Sequence, residues 1–240
     1  MRLSQPIHRL KRRARLLSRS DALPLHVALD RIALEEGFPS WSLLAARHAE
    51  WRAGSRLLSR LDPGDLLLIA GRPGQGKTRL GIRLAVDAVR AGRHAVIFTL
   101  EYHRDQVLDC IRSMGEDPRR LGDRLSIDDA DEIDADHIVA RSDTAPPGTL
   151  ILIDYLQLLD QRRDSASLSA QVSTLRTLAR QRDLILVFLS QVHRSFAASG
   201  RSMPRLSDLK LPNPVDLSAF TRSCFVHQGR MTFGAVRHRA

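Results

Sequence analysis

The chain has 240 residues, with 37 lysines and arginines against 27 aspartates and glutamates, a net charge of +10. Its 43% hydrophobic and 27% charged residues are ordinary globular usage, which excludes global disorder, and runs such as Leu66–Ala70 are too short to cross a bilayer. No early stretch resembles a secretory h-region, and Cys110 and Cys224 form neither a CxxC pair nor a zinc spacing, so the expectation is a cytoplasmic protein with two buried, reduced thiols and no membrane partner.

Residues 1–60 hold 12 basic and 5 acidic side chains. Leu3, Ile7, Leu10, Ala14 and Leu17 alternate spacings of four and three, which lays them on one helix face, ringed by Arg9, Lys11, Arg12, Arg13, Arg15 and Arg19. Such a helix can pack on the body, lie on DNA or bind a membrane surface; packing is the plainest outcome, because an apolar stripe seeks protein. A second helix follows, with Asp21 as its cap, Pro24 in its first turn, and Leu25, Ala28, Ile32 and Ala33 at helical spacing up to Gly37. After the break at Phe38-Pro39, Ser40 caps a third helix holding Trp41, Leu44 and Ala45. Residues 1–60 therefore read as a basic helical appendage, a place for a protein partner to bind.

From Asp62-Pro63-Gly64 the pattern changes to strands alternating with helices, and residues 61–240 read as one α/β domain. Strands are expected at Leu66–Ala70, Ala95–Leu100, Arg124–Ile127, Leu150–Ile153 and Leu184–Leu189. Helices are expected at Lys77–Ala91, Asp105–Met114 and Ser167–Arg182. Strictly apolar strands separated by helices imply a predominantly parallel sheet covered on both faces. Residues 195–221, with three prolines, read as a long loop, followed by a last strand at Arg222–Val226 and a turn at Gly229. Residues 61–193 carry 17 basic and 20 acidic side chains and residues 194–240 carry 8 and 2. An acidic middle between basic ends suits an anionic partner, nucleic acid before others.

Gly71-Arg72-Pro73-Gly74-Gln75-Gly76-Lys77-Thr78 fits G-x-x-x-x-G-K-[ST] between a buried strand and a helix. The glycines let backbone N–H groups turn inward onto phosphates, and the helix N-terminus adds positive potential. Lys77 is placed to reach the β- and γ-phosphates of ATP, and Thr78 to bind Mg²⁺ through its hydroxyl. Asp154 closes four aliphatic residues, Leu150–Ile153; a carboxylate there is costly unless it serves a cation, which makes it the second Mg²⁺ ligand. Glu101 and Gln191 each end a strand at the carboxyl edge of the sheet. Glu101 is favoured as the base that activates water, and Gln191 as a neutral amide that senses the γ-phosphate.

Taken together, these segments resemble the ATPase domain of the DnaB-type replicative helicases, within the RecA-like group. The resemblance rests on Gly64-Asp65-Leu66 through Thr78, Phe98-Thr99-Leu100-Glu101, Ile153-Asp154-Tyr155-Leu156-Gln157-Leu158, Leu189-Ser190-Gln191-Val192-His193-Arg194, and Pro204-Arg205-Leu206-Ser207-Asp208-Leu209. It covers residues 61–227 or so and implies a RecA-like P-loop NTPase fold, a bacterial setting, ATP and Mg²⁺, single-stranded DNA, and a homo-oligomeric ring or filament. It also implies Lys77, Glu101 and Gln191 as catalytic residues. Three departures stand out. Leu211-Pro212-Asn213-Pro214-Val215-Asp216 replaces an acidic stretch of the family. The segment whose basic residues reach a neighbouring subunit's ATP has no clear counterpart, Arg237 and Arg239 being the only substitutes offered. Residues 1–60 do not resemble the family's primase-binding region; Phe38 to Ala46 is instead similar to a short helical module of bacterial proteins.

Two readings follow. One is a DNA-dependent ATPase or helicase, with Arg194, Arg201, Arg205 and Lys210 on backbone phosphates. The other is a RecA-like ATP-dependent switch with slow turnover and a protein partner. The acidic run from Asp128 to Asp136 is expected to be a solvated loop that caps a helix near Ala135 rather than a calcium site.

Overall fold

The computed structural model describes residues 3–160, 166–211 and 213–236. Three helices open the chain: α1 (Ile7–Ser20), α2 (Leu25–Glu35) and α3 (Trp41–Leu58). The apolar stripe of α1 is spent on protein: Leu10 and Ala14 are fully buried against Ile32, with Leu3, Leu17, Leu29 and Trp41 around them. Pro24, not Asp21, is the cap of α2. Asp21 instead closes α1, because Ala22 takes a positive φ and turns the chain; its carboxylate then receives Arg31 at 3.2 Å. Ser40 caps α3 as expected, accepting the Leu43 N–H at 3.3 Å, while Asp30 accepts that of Trp41 at 2.8 Å.

The remainder alternates β1 (Leu66–Gly71), α4 (Lys77–Arg90), β2 (Ala95–Thr99), α5 (Arg104–Ser113), β3 (Leu125–Asp128), α6 (Ala135–Ser142), β4 (Leu150–Asp154), α7 (Leu168–Gln181) and β5 (Ile185–Gln191), and ends in β6 (Arg222–His227) and β7 (Arg230–Ala235). The sheet runs β3-β2-β4-β5-β1-β6-β7, parallel throughout except for β6 against β7. Strand side chains alternate faces as the period of two demands. Leu67, Ile69, Leu152 and Val187 meet α4 and α5, while Leu66, Leu68, Ile153 and Phe188 meet α6 and α7. Burial on both faces is why these strands read as unbroken apolar runs.

Helix α4 is covered twice. Every residue from Gly81 to Val89 is buried, including Arg83 and Asp87. A Cβ at Gly81 would fall 2.7 Å from Leu152 Cδ1 on the sheet side, and one at Gly54 of α3 would fall 2.5 Å from Asp87 Oδ2 on the other. Leu57 and Leu58 of α3 join the main core. Under α3, Arg83 donates to Asp87 at 2.7 Å and to Glu116 at 3.2 Å, and Arg90 reaches Glu116 at 2.6 Å. Buried charges persist only when paired in this way. Burial pushes the Asp87 carboxyl above its ordinary pKa despite the guanidinium beside it.

Three expectations change. Strand β7 is an addition to the expected set: it is short, its side chains are mostly exposed, and only its antiparallel pairing with β6 makes it a strand. Residues 195–221 are built around three 3₁₀ turns, at Arg194–Ala198, Leu206–Asp208 and Leu217–Ala219, and Val192 bridges Leu209. Cys224 is buried, which pushes its thiol up to about 12, but Cys110 is only half-buried. The acidic run does cap a helix, since Asp134 accepts the His137 N–H at 2.9 Å. Among the described residues no group of three or more His, Cys, Asp and Glu side chains could hold a metal ion, and no helix is long and apolar enough to cross a membrane.

Candidate active site

The loop between β1 and α4 is shaped by three glycines. Gly74 and Gly76 adopt φ of +74° and +84°, backbone that a side chain would strain. Gly71 is fixed by contact: a Cβ there would lie 2.6 Å from the Val226 carbonyl oxygen. The Gln75 side chain accepts the Gln228 N–H at 2.6 Å, which anchors the loop to the β6–β7 turn. Lys77, the first residue of α4, donates to the Arg72 carbonyl at 3.3 Å.

Strand register assembles the rest. Thr99 of β2 is level with Asp154 of β4, so Glu101, two residues on, stands at the same sheet edge. Gly71 of β1 is level with Gln191 of β5. Gly76, Lys77, Thr78, Glu101, Asp154 and Gln191 thus line one cleft of about 350 Å³, which Pro73 and Gly74 also border. Gly71, Arg72 and Gln75 support the loop from behind. Four of the cleft residues, Lys77, Glu101, Asp154 and Gln191, come from four separate elements that only the parallel sheet brings to one edge.

Electrostatics distinguish the charged groups. Burial pushes the Asp154 carboxyl up to about 6, against a hydrogen bond from the Thr78 hydroxyl and the pull of Lys77, and with the Glu101 charge adding to the rise. Its Oδ2 is buried with no hydrogen-bond partner. A buried, orphaned carboxylate oxygen beside a threonine hydroxyl at the head of a phosphate-type loop fits a hard divalent cation. Burial also lowers the Lys77 ammonium, while Asp154 and Glu101 pull it back up. Tyr102, which the motifs do not single out, hydrogen-bonds Thr78, and burial raises its phenol. Tyr155, Gln106 and Cys110 also border the cleft. Only their adjacency to Glu101 and Asp154, or the helical spacing from Tyr102, could have flagged them.

Beyond the cleft, Gln157 donates to Ser190 Oγ at 2.9 Å and to the Lys210 carbonyl at 2.6 Å. The Lys210 N–H donates to the Gln191 carbonyl at 2.8 Å. The limb returning from residues 192–209 is therefore tied to the cleft on two sides. Of the four basic residues expected on phosphates, Arg194, Arg205 and Lys210 are exposed. Arg201 is not free for that work: its guanidinium grips both oxygens of Asp208, at 2.9 and 2.5 Å, and the same carboxylate accepts the Arg205 N–H at 2.7 Å. The Arg201 hydrogen bond holds the Asp208 carboxyl below its ordinary range. Arg237 and Arg239 lie outside the described residues.

The family model of the DnaB-like helicase C-terminal domain matches residues 116–219, and that of the KaiC ATPase matches residues 57–150. Among curated proteins, the replicative DNA helicase DnaB of Synechocystis sp. is 28% identical over 181 residues, covering 62% of this chain and 21% of its own. That of Pasteurella multocida is 23% identical over 231 residues, covering 81% and 49%. The chain carries a DnaB-type ATPase domain. It spans between about a fifth and a half of the length of these curated relatives. Among solved structures, an isolated ATPase domain superposes on the DnaB-type fold with a TM-score of 0.62 at 19% identity, covering 73% of this chain and 75% of that one. A DnaB-like replicative helicase, solved with its interactions with primase, gives 0.60 at 18% identity, covering 77% and 58%.

Proposed function

We infer that the cleft binds ATP and hydrolyses it, and that single-stranded DNA on the segment 192–211 accelerates the reaction. The observation that carries this reading is the orphaned Asp154 oxygen beside Thr78, with Lys77 and Glu101 at the same sheet edge. Thr78 and Asp154 would hold Mg²⁺, which when bound supplies charge neutralisation at the phosphates. Loop N–H groups and Lys77 bind and orient the phosphate chain. Glu101 takes the proton of the attacking water, so that ATP and water give ADP and phosphate. Gln191, whose backbone accepts from Lys210, carries the state of the cleft to the segment behind it.

Relatives named as replicative helicases support a multi-subunit ring or filament, and residues 1–60 as a separate appendage, in the same proposal. Exposed Arg194, Arg205 and Lys210 are the phosphate contacts; Arg201 instead shapes the segment through Asp208. One observation favours the second reading, a slow ATP-dependent switch: the segment is already closed by its own hydrogen bonds. Steady-state ATP hydrolysis with and without single-stranded DNA separates the two. Strong stimulation that Glu101→Gln abolishes, with a fall of about 10²–10⁴-fold, supports the DNA-dependent enzyme. A slow rate indifferent to DNA, in protein that still binds ATP, leaves the switch.

A further inference from the structure

Helix α1 presents two unlike faces. Its apolar stripe is buried on α2 and α3, which leaves no inserting face for a bilayer. On the opposite face His8, Arg12, Arg15 and Arg19 recur at intervals of four, three and four, one continuous row about 16 Å long. Arg9 and Lys11 flank it, and all six are exposed. No acid lies within α1.

The acids of the neighbouring helices do not neutralise this row. Asp21 is taken by Arg31, Asp30 by the Trp41 N–H, Glu35 by Arg13, and Glu36 by Ser4. Each of those contacts lies to the side of the row or beneath it. Among the described residues, none of Arg9, Lys11, Arg12, Arg15 and Arg19 is in an ion pair. Leu16, 58% exposed, stands between Arg9 and Arg12 around the helix and gives the face one apolar point. A straight row of uncompensated guanidiniums on a rigidly seated helix is complementary to a chain of phosphates, and Arg binds phosphate in a planar, two-pronged fashion.

We propose that the outer face of α1 is a second nucleic-acid site, distinct from the segment 192–211. It grips the phosphate backbone through Arg12, Arg15 and Arg19, without base preference and without need of ATP. Its chemistry is electrostatic, so each phosphate engaged releases counterions, and affinity falls steeply with salt. The site would hold the protein on its nucleic acid through every stage of the nucleotide cycle.

The test is fluorescence anisotropy with the full chain, a labelled thirty-nucleotide oligo(dT) and a labelled duplex of equal length, in EDTA without nucleotide, over a salt series. Wild type is expected to bind, and R12A/R15A/R19A to bind about tenfold or more weakly. The log–log salt slope should fall by about 2 on the single strand, three contacts at about 0.7 each. R12K/R15K/R19K, which keeps the charges, should recover most of the slope and guards against a folding defect. The oligo(dT) and duplex arms tell which form of backbone the row prefers. An alanine variant with wild-type affinity and slope overturns the proposal, as does a wild type that binds anionic vesicles but neither oligonucleotide. A chain that binds through α1 yet hydrolyses ATP indifferently to DNA overturns the DNA-dependent reading of the cleft and leaves this one standing.

Discussion

Lys77, Thr78 and Asp154 stand where fully buried strands meet a helix pressed between the sheet and α3, whereas residues 192–211 are held by a handful of polar ties to Gln157, Gln191 and Asp208. The first region is fixed by close packing, which deforms little. The second can exchange one set of hydrogen bonds for another at about 1 kcal/mol each. A site that must hold phosphates still, yet report their state, gains from having both kinds of support within a few residues.

Breaking the packed region should have the larger effects. Lys77→Ala is expected to cut hydrolysis by at least about 100-fold while the melting temperature barely moves; steady-state assays and calorimetry on the same preparation check this. Gly71→Ala drives a methyl against the Val226 carbonyl and should cost about 1–3 kcal/mol of stability, read by urea unfolding. Breaking the polar region should be selective. Gln157→Leu keeps the bulk and removes both hydrogen bonds, so stimulation by single-stranded DNA should fall by up to about tenfold, with basal hydrolysis and ATP affinity unchanged. If basal hydrolysis falls equally, the two regions are not separable. The smallest effect is away from both. Burial pushes the Asp128 carboxyl up, but hydrogen bonds from His137, Ala130 N–H and Arg141 outweigh it and hold the group below its ordinary range. The stability it adds is therefore fully present above that ordinary value and is lost as pH falls through the lowered one. Asp128→Asn should cost about 1 kcal/mol at pH 7, and the gap from wild type in thermal melts should close as the pH falls towards 3.

The packed region is legible from sequence because its signals are local. A glycine-rich loop, an apolar run closed by Asp154, and Glu101 at a strand exit each sit within eight residues, and the parallel sheet does the rest. The polar region is not. Gln157 reaches Lys210 across 53 positions, and nothing in either residue type announces the pair. Arg201 is indistinguishable in sequence from its basic neighbours, and only the fold shows Asp208, seven residues on, holding it. Strand β7 escapes for a similar reason, since RMTFGA has weak alternation and owes its extension to β6. In α1 the apolar stripe is plain, but which partner covers it depends on the position of α2, and with it the meaning of the arginines on the far side.

The double covering of α4 bears on how the protein can be cut down for study. A fragment starting at residue 61 looks natural from the change of pattern at Asp62. It would nonetheless strip Leu57 and Leu58 from the core and lay Arg83, Asp87 and Glu116 open to water. The roof lost in that operation rests on the helix that begins at Lys77, so the shortened protein would be expected to misreport nucleotide affinity even if it remained in solution.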